Sequence, residues 1–312
     1  MMSHVIRRVA IVGGTHGNEL TGVYLVKKFQ EFPDLLKRST FETVALLANP
    51  KAVEMNRRYV DRDLNRCFGR ADLANPDLTS YEDTRAKEIW AQLSPKYDRG
   101  ADFIIDLHST TANMGLTILP SSKHPFNLQL LAYLSELDRS VRVFFREEDG
   151  EDAPMLRSLS ACGCTIEVGP IAQGVVNANL FQQTEMLVYA ILNYLDATNR
   201  SNPLVIASHL TAYQAIVSVD YPRNSVGEIQ ATIHPQLQFK DYEPLHPGEP
   251  MFLTFTGEIF PYQGESTVFP VFINEAAYYE KHIAMVLTKK QQLQLETASN
   301  NVPSNTRNKK GL

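Results

Sequence analysis

The chain lacks what would tie it to a disulfide staple, a membrane or a polyanion. Its 312 residues hold three cysteines, Cys67, Cys162 and Cys164, an odd and scattered set that is no disulfide framework. The Cys-x-Cys at 162–164 has no partner pair, so it reads as strand packing rather than a metal or redox site. No apolar run approaches the ~18–20 residues that span a bilayer. Two arginines interrupt the opening Met-Met-Ser-His-Val-Ile-Arg-Arg, which leaves no signal-peptide core. A soluble cytoplasmic protein with free thiols and no membrane partner is expected. Positive charge is not in excess either: 30 Lys+Arg against 35 Asp+Glu give −5, which argues against nucleic acid as a partner. Neither Gly-x-Gly-x-x-Gly nor Gly-Lys-Ser/Thr follows Gly13-Gly14, so the usual nucleotide-binding loops are excluded. No internal repeat is present.

What is there is an ordinary globular composition, 44% hydrophobic and 21% charged. A chain this long buries a full core without staples. Short β-branched runs alternate with amphipathic stretches through the first two thirds. Strands are expected at 8–13, 42–48, 101–107, 115–119, 141–145 and 164–168. Helices are expected at 18–32, 81–93, 125–137 and 184–195. That alternation predicts an α/β fold with a mainly parallel sheet flanked by helices. Residues 51–80 are polar and weakly periodic, a long functional loop or a set of short helices. After Pro203 short runs broken by His-Pro, His-Pro-Gly and Thr-Gly predict a smaller antiparallel unit. The expected organisation is an α/β domain over 1–200, a β-rich C-terminal domain over 201–296 and a polar tail over 297–312.

The sharpest chemical feature is His16-Gly17-Asn18-Glu19, in a glycine-rich turn between the first strand and a helix. A His and a Glu three apart in such a turn converge on one point, and imidazole with carboxylate suits zinc. A His-x-x-Glu alone is common and usually binds nothing. His108, at the end of the strong 101–107 strand, supplies a third ligand, because ligands gather at the carboxyl ends of parallel strands. Asp106, two residues earlier, shares its face and is placed to orient an imidazole. The other histidines sit beside Pro, Ser or charged residues and read as surface or loop positions.

Glu167, in Thr165-Ile166-Glu167-Val168-Gly169-Pro170, is a carboxylate inside an apolar strand. Burial would raise its pKa and suit it to shuttle a proton; the bland alternative pairs it with a buried arginine. Arg57, Arg58, Arg62 and Arg66 lie within ten residues, against Asp61 and Asp63, for a local +2. Arginine forks match carboxylates, and Asn65-Arg66 offers two donor geometries to one anion. Arg157, ten residues before Glu167, can add a second cation. The competing reading is a solvated charge run with internal Asp–Arg pairs.

Taken together, Gly-Gly-Thr-His-Gly-Asn-Glu-Leu-Thr-Gly (13–22), Asp-Leu-Asn-Arg (63–66), Asp-Leu-His-Ser-Thr-Thr (106–111), Ile-Glu-Val-Gly-Pro (166–170) and Asn-Glu-Ala-Ala-Tyr-Tyr-Glu-Lys (274–281) resemble the aspartoacylase/succinylglutamate desuccinylase family. Val219-Asp220-Tyr221-Pro222-Arg223 and Pro244-Leu245-His246-Pro247-Gly248 fit as well, so the likeness runs from residue 8 to about 283. It implies a zinc-carboxypeptidase-like α/β domain with a β-rich C-terminal domain that narrows the site. It also implies one zinc per subunit on His16, Glu19 and His108, with Glu167 as general base and acid. Arg58 would polarise the acyl carbonyl, while Asn65, Arg66, Arg157 and Tyr278 would contact a small N-acyl amino acid. The implied reaction is hydrolysis of N-acyl-L-aspartate by a homodimer; other N-acyl amino acids, aromatic ones included, are the alternative. A non-catalytic metal- or anion-binding protein is a more distant one. The sequence departs from the aspartate-specific pattern twice, with His282 in place of Lys and Ala153 in place of Tyr.

Overall fold

The apolar runs become strands whose successive residues feed two opposite cores. In the computed structural model, residues 5–94, 100–146, 153–202, 204 and 208–295 are described; the expected tail at 297–312 lies outside them. The elements run β1 (Arg8–Gly13), α1 (Leu20–Glu31), β2 (Glu42–Leu47), α2 (Pro50–Glu54), α3 (Arg70–Ala74), α4 (Tyr81–Leu93), β3 (Phe103–Ser109), β4 (Gly115–Pro120), α5 (Pro125–Leu137), β5 (Val141–Phe145), β6 (Cys162–Gly169) and α6 (Ala178–Asn199). There follow β7 (His209–Val219), β8 (Ala231–Ile233), β9 (Pro250–Thr254), β10 (Ile259–Pro261), β11 (Phe269–Val271) and β12 (Met285–Gln294).

Among the described residues nine strands make one sheet, in the order β11-β12-β7-β5-β4-β6-β3-β1-β2. The pairs β1·β2, β1·β3, β3·β6, β4·β5 and β5·β7 are parallel, while β4·β6, β7·β12 and β11·β12 are antiparallel. The mainly parallel α/β expectation therefore holds, with one revision. The C-terminal segment does not only pack beside this sheet: β7, β12 and β11 extend it. A smaller sheet, β10-β9-β8, stands apart from it.

Alternation explains why the strands look uniformly apolar. Val9 and Ile11 of β1, Phe103, Ile105 and Leu107 of β3, and Cys162, Cys164, Ile166 and Val168 of β6 pack on the face covered by α1, α5 and α6. Ala10, Val12 and Ile104 face the other way, against Ala86, Ile89 and Leu93 of α4. Truncating a fully buried residue such as Ile105 to Ala would cost about 2–5 kcal/mol. The three thiols are reduced and buried, and burial pushes Cys67 and Cys164 up to about 12, which makes them inert packing groups.

On β3 and β6 this second face turns polar toward the carboxyl end. There it carries Asp106 and His108 beside Thr165 and Glu167, with Asp106 in register with Thr165 and His108 with Glu167. Since β1, β3 and β6 run in the same direction, all three deliver their next residues to one crevice.

Candidate active site

His16 and Glu19 sit where the chain leaves β1. Gly14 has φ +68°, a left-handed turn that glycine adopts without strain. A Cβ at Gly17 would lie 2.2 Å from the Ala52 carbonyl carbon, so only glycine lets this turn settle on α2. The Gly17 amide donates to the Arg58 carbonyl at 3.1 Å, which fixes the turn to the arginine-bearing loop. Glu19 holds the N-cap position of α1 but makes no side-chain cap there. Its carboxylate reaches His16 Nδ1 at 2.7 Å and His108 Nδ1 at 2.9 Å instead.

The two imidazoles are oriented from behind. His16 Nε2 is 2.9 Å from Asp63 Oδ1, and His108 Nε2 is 2.7 Å from Asp106 Oδ2. Asp106 is fully buried and also accepts from Thr15 Oγ1 at 2.8 Å. With both Nε2 atoms committed to carboxylates, the two Nδ1 atoms face each other at 3.1 Å across the Glu19 carboxylate. One ligand atom from each of His16, Glu19 and His108 lies within 4.8 Å of the others. Two imidazole nitrogens and a carboxylate oxygen, converging and each oriented by an outer partner, fit a divalent metal ion. The expected role of Asp106 behind His108 is therefore met in the geometry.

The loop carrying the arginines is built by a residue that sequence reasoning did not single out. The buried Glu82 carboxylate accepts from the amides of Val60 at 2.6 Å, Asp61 at 2.9 Å and Arg62 at 3.2 Å, and from Asn49 Nδ2 at 3.0 Å. This divides the charge cluster. Arg58 and Arg66 turn to the cavity, Arg57 is exposed, and Arg62 pairs with Asp83 at 2.9 Å and Asp72 at 3.3 Å. The anion-site and the solvated-charge readings each hold for part of the run. Asn65 Oδ1 accepts from the Leu156 amide at 2.9 Å, which joins the Asn65–Arg66 turn to the segment bearing Arg157.

His16, Glu19, Arg58, Asn65, Arg66, Arg157, Glu167 and Tyr278 all line one cavity of about 480 Å³, and His108 lies behind them, buried. Arg146, Thr165, Phe272 and Glu275 are among the further lining residues, and none of them was expected to act in the site. Glu275 clamps the turn after β3, accepting from the Thr111 amide at 2.7 Å, the Ala112 amide at 3.2 Å and the Thr110 hydroxyl. It also accepts from the Ala277 amide at 3.0 Å, at the head of the 3₁₀ turn Ala276–Lys281. That turn carries Tyr278 into the cavity, where its hydroxyl accepts from Arg146, and puts Lys281 Nζ 3.1 Å from Asp63.

The carboxyls differ in ionisation. Burial opposes ionising Glu19, but His16 and His108 outweigh it and hold the group well below the usual range. Burial likewise opposes Asp63, and His16, Arg58 and Lys281 overcome it. At Glu167 burial wins: the group is pushed up to about 7, with His108 pulling it down and Glu19 and Glu275 pushing it up.

Residues 5–195 match the family described as the succinylglutamate desuccinylase/aspartoacylase catalytic domain, and 208–290 match the AstE/AspA barrel-sandwich hybrid domain. A Nostoc sp. protein named probable aspartoacylase is 55% identical over 287 residues, 92% of this chain and 97% of the relative. A Homo sapiens protein named N-acyl-aromatic-L-amino acid amidohydrolase (carboxylate-forming) is 44% identical over 292 residues, 91% of each chain. The crystal structure of murine aminoacylase 3 superposes with a TM-score of 0.88 at 42% identity, covering 94% of this chain and 98% of that one.

Proposed function

The chain belongs to the succinylglutamate desuccinylase/aspartoacylase family, and from that premise we propose that it is a zinc-dependent amidohydrolase of N-acyl-L-aspartate, releasing L-aspartate and a carboxylate. The observation that carries this reading is the convergence of His16, Glu19 and His108 beside a raised Glu167 in an arginine-lined cavity. His16, Glu19 and His108 would hold one zinc per subunit, and that ion would supply Lewis acidity to the hydrolysis.

The protein's own groups do the rest. Glu167 takes a proton from the attacking water as its oxygen bonds to the acyl carbon, then returns it to the nitrogen as the C–N bond breaks. Arg58, pointing into the same cavity and oriented by Glu19 at 3.0 Å and Asp63 at 3.3 Å, opposes the charge growing on the acyl oxygen. Asn65, Arg66 and Arg157 hold the carboxylates of the amino acid, and Tyr278 closes the site from the C-terminal segment.

The working domain division is 1–200 for the hydrolase and 201–296 for the part that narrows the entrance. A cytoplasmic homodimer completes the proposal, with sedimentation velocity as its check: a single 35.1 kDa species at micromolar concentration removes the dimer. The second reading, an aminoacylase for aromatic N-acyl amino acids, draws on the Homo sapiens and murine relatives. Metal analysis with turnover of N-acetyl-L-aspartate and N-acetyl-L-tyrosine decides between them. Faster hydrolysis of the tyrosine derivative ends the aspartate assignment, and turnover unaffected by chelation ends the zinc assignment.

A further inference from the structure

Thr165 and Arg146 line the cavity, and no part of the mechanism above uses either. Thr165 is 3% exposed and lines the cavity, yet its Oγ1 has no hydrogen-bond partner among the described residues. Valine has the same shape and would fill the strand without a hydroxyl, so this hydroxyl finds a partner only in something that occupies the cavity and accepts from it. Thr165 sits two residues before Glu167, on the same face of β6. Leu119 of β4 is its register partner, and Met155 and the buried Arg157 line the same cavity.

Arg146 lines the same cavity from the end of β5. Its guanidinium donates to the Tyr278 hydroxyl and lies 5.6 Å from the Phe272 ring centroid, 5.8 Å from that of Tyr278 and 6.0 Å from that of Phe144. Three aromatic faces and the Tyr278 hydroxyl hold the guanidinium in place at the cavity wall. Its charge is felt at Arg66, which burial pulls below its ordinary pKa; Asp63 pulls upward, and Arg146 adds to the lowering. An entering carboxylate relieves that repulsion. The two departures from the aspartate pattern play no part here. The His282 side chain is mostly exposed, with Nδ1 3.4 Å from Asp220, and neither His282 nor Ala153 lines the cavity.

We propose that Thr165 and Arg146, with Arg157, form the subsite for the side-chain carboxylate of the substrate and set the preference for an acidic over an aromatic side chain. This rests on the hydrolase reading above and sharpens it.

The test uses Thr165→Val, Arg146→Met and Arg146→Lys in the full-length metal-loaded enzyme. Thr165→Val raises KM for N-acetyl-L-aspartate about tenfold, the effect of one hydrogen bond to a charged group. It leaves the constants for N-acetyl-L-alanine unchanged and does not lower Tm. Arg146→Met lowers kcat/KM for N-acetyl-L-aspartate about a hundredfold with little change for the alanine derivative, and Arg146→Lys recovers part of the loss. Equal losses on both substrates, or no loss on either, overturn the subsite. Calorimetric titration with L-aspartate separates this inference from the hydrolase reading. Aspartate binding that weakens in Thr165→Val keeps the subsite even if no amide is hydrolysed. Hydrolysis of N-acetyl-L-aspartate that ignores all three variants removes the subsite alone.

Discussion

The buried His16–Glu19–His108 cluster and the half-buried Glu167 beside it treat their carboxylates in opposite ways. Glu19 is surrounded by two imidazoles and Arg58, so its charge is favoured although burial opposes it. Glu167, one strand away and in register with His108, has no ion pair of comparable closeness among the described residues, and burial lifts it to about 7. The lesson is that partners, not burial alone, decide which carboxylate stays charged. A metal ligand needs a permanent charge, whereas a proton carrier needs a pKa near the working pH.

The largest effect should come from dismantling the paired end. His16→Ala or His108→Ala is expected to abolish both stoichiometric metal content and hydrolysis, measured by elemental analysis beside turnover. Retained metal in both variants would break the ligand assignment. Next comes the unpaired end: Glu167→Gln should keep the metal and lower kcat by about 10²–10⁴. A variant that loses the metal instead would erase the distinction between the two ends. Asp106→Asn touches only the orientation of His108 and should weaken metal affinity by about 10–100-fold, read by competition with a chelator. The smallest effect is on pH. Because Glu167 is raised, its base form is lost as pH falls through about 7. With metal content held constant, kcat/KM should therefore fall on the acid side, approaching tenfold per unit. A flat profile from pH 8 to 5 would show that Glu167 is held charged in the working enzyme, like Glu19.

Local signals found much of this. The 8–13, 141–145, 81–93 and 125–137 expectations coincide with β1, β5, α4 and α5, because period, cap and punctuation act over a few residues. The expected helix at 184–195 extends to Ala178–Asn199, and Asn177, whose side chain accepts from the Leu180 amide, caps its N-terminus. Glu82 carried no sequence signal for its role, since it reads as an ordinary first-turn acid of α4. Thr165 and Arg146 were equally silent: one looks like a strand threonine, the other like a strand-end arginine.

By itself the sequence determined the strand and helix runs and singled out His16, Glu19, His108 and Glu167 as candidate site residues, because each depends on near neighbours or on a short ordered motif. Only the tertiary structure decided which arginines face the cavity and which face Asp72 and Asp83. It alone joined β7, β12 and β11 to the main sheet, and it set Glu19 low and Glu167 high. Those outcomes depend on groups brought together from distant parts of the chain, where the close approach of charges and the exclusion of water, not local pattern, fix the energies.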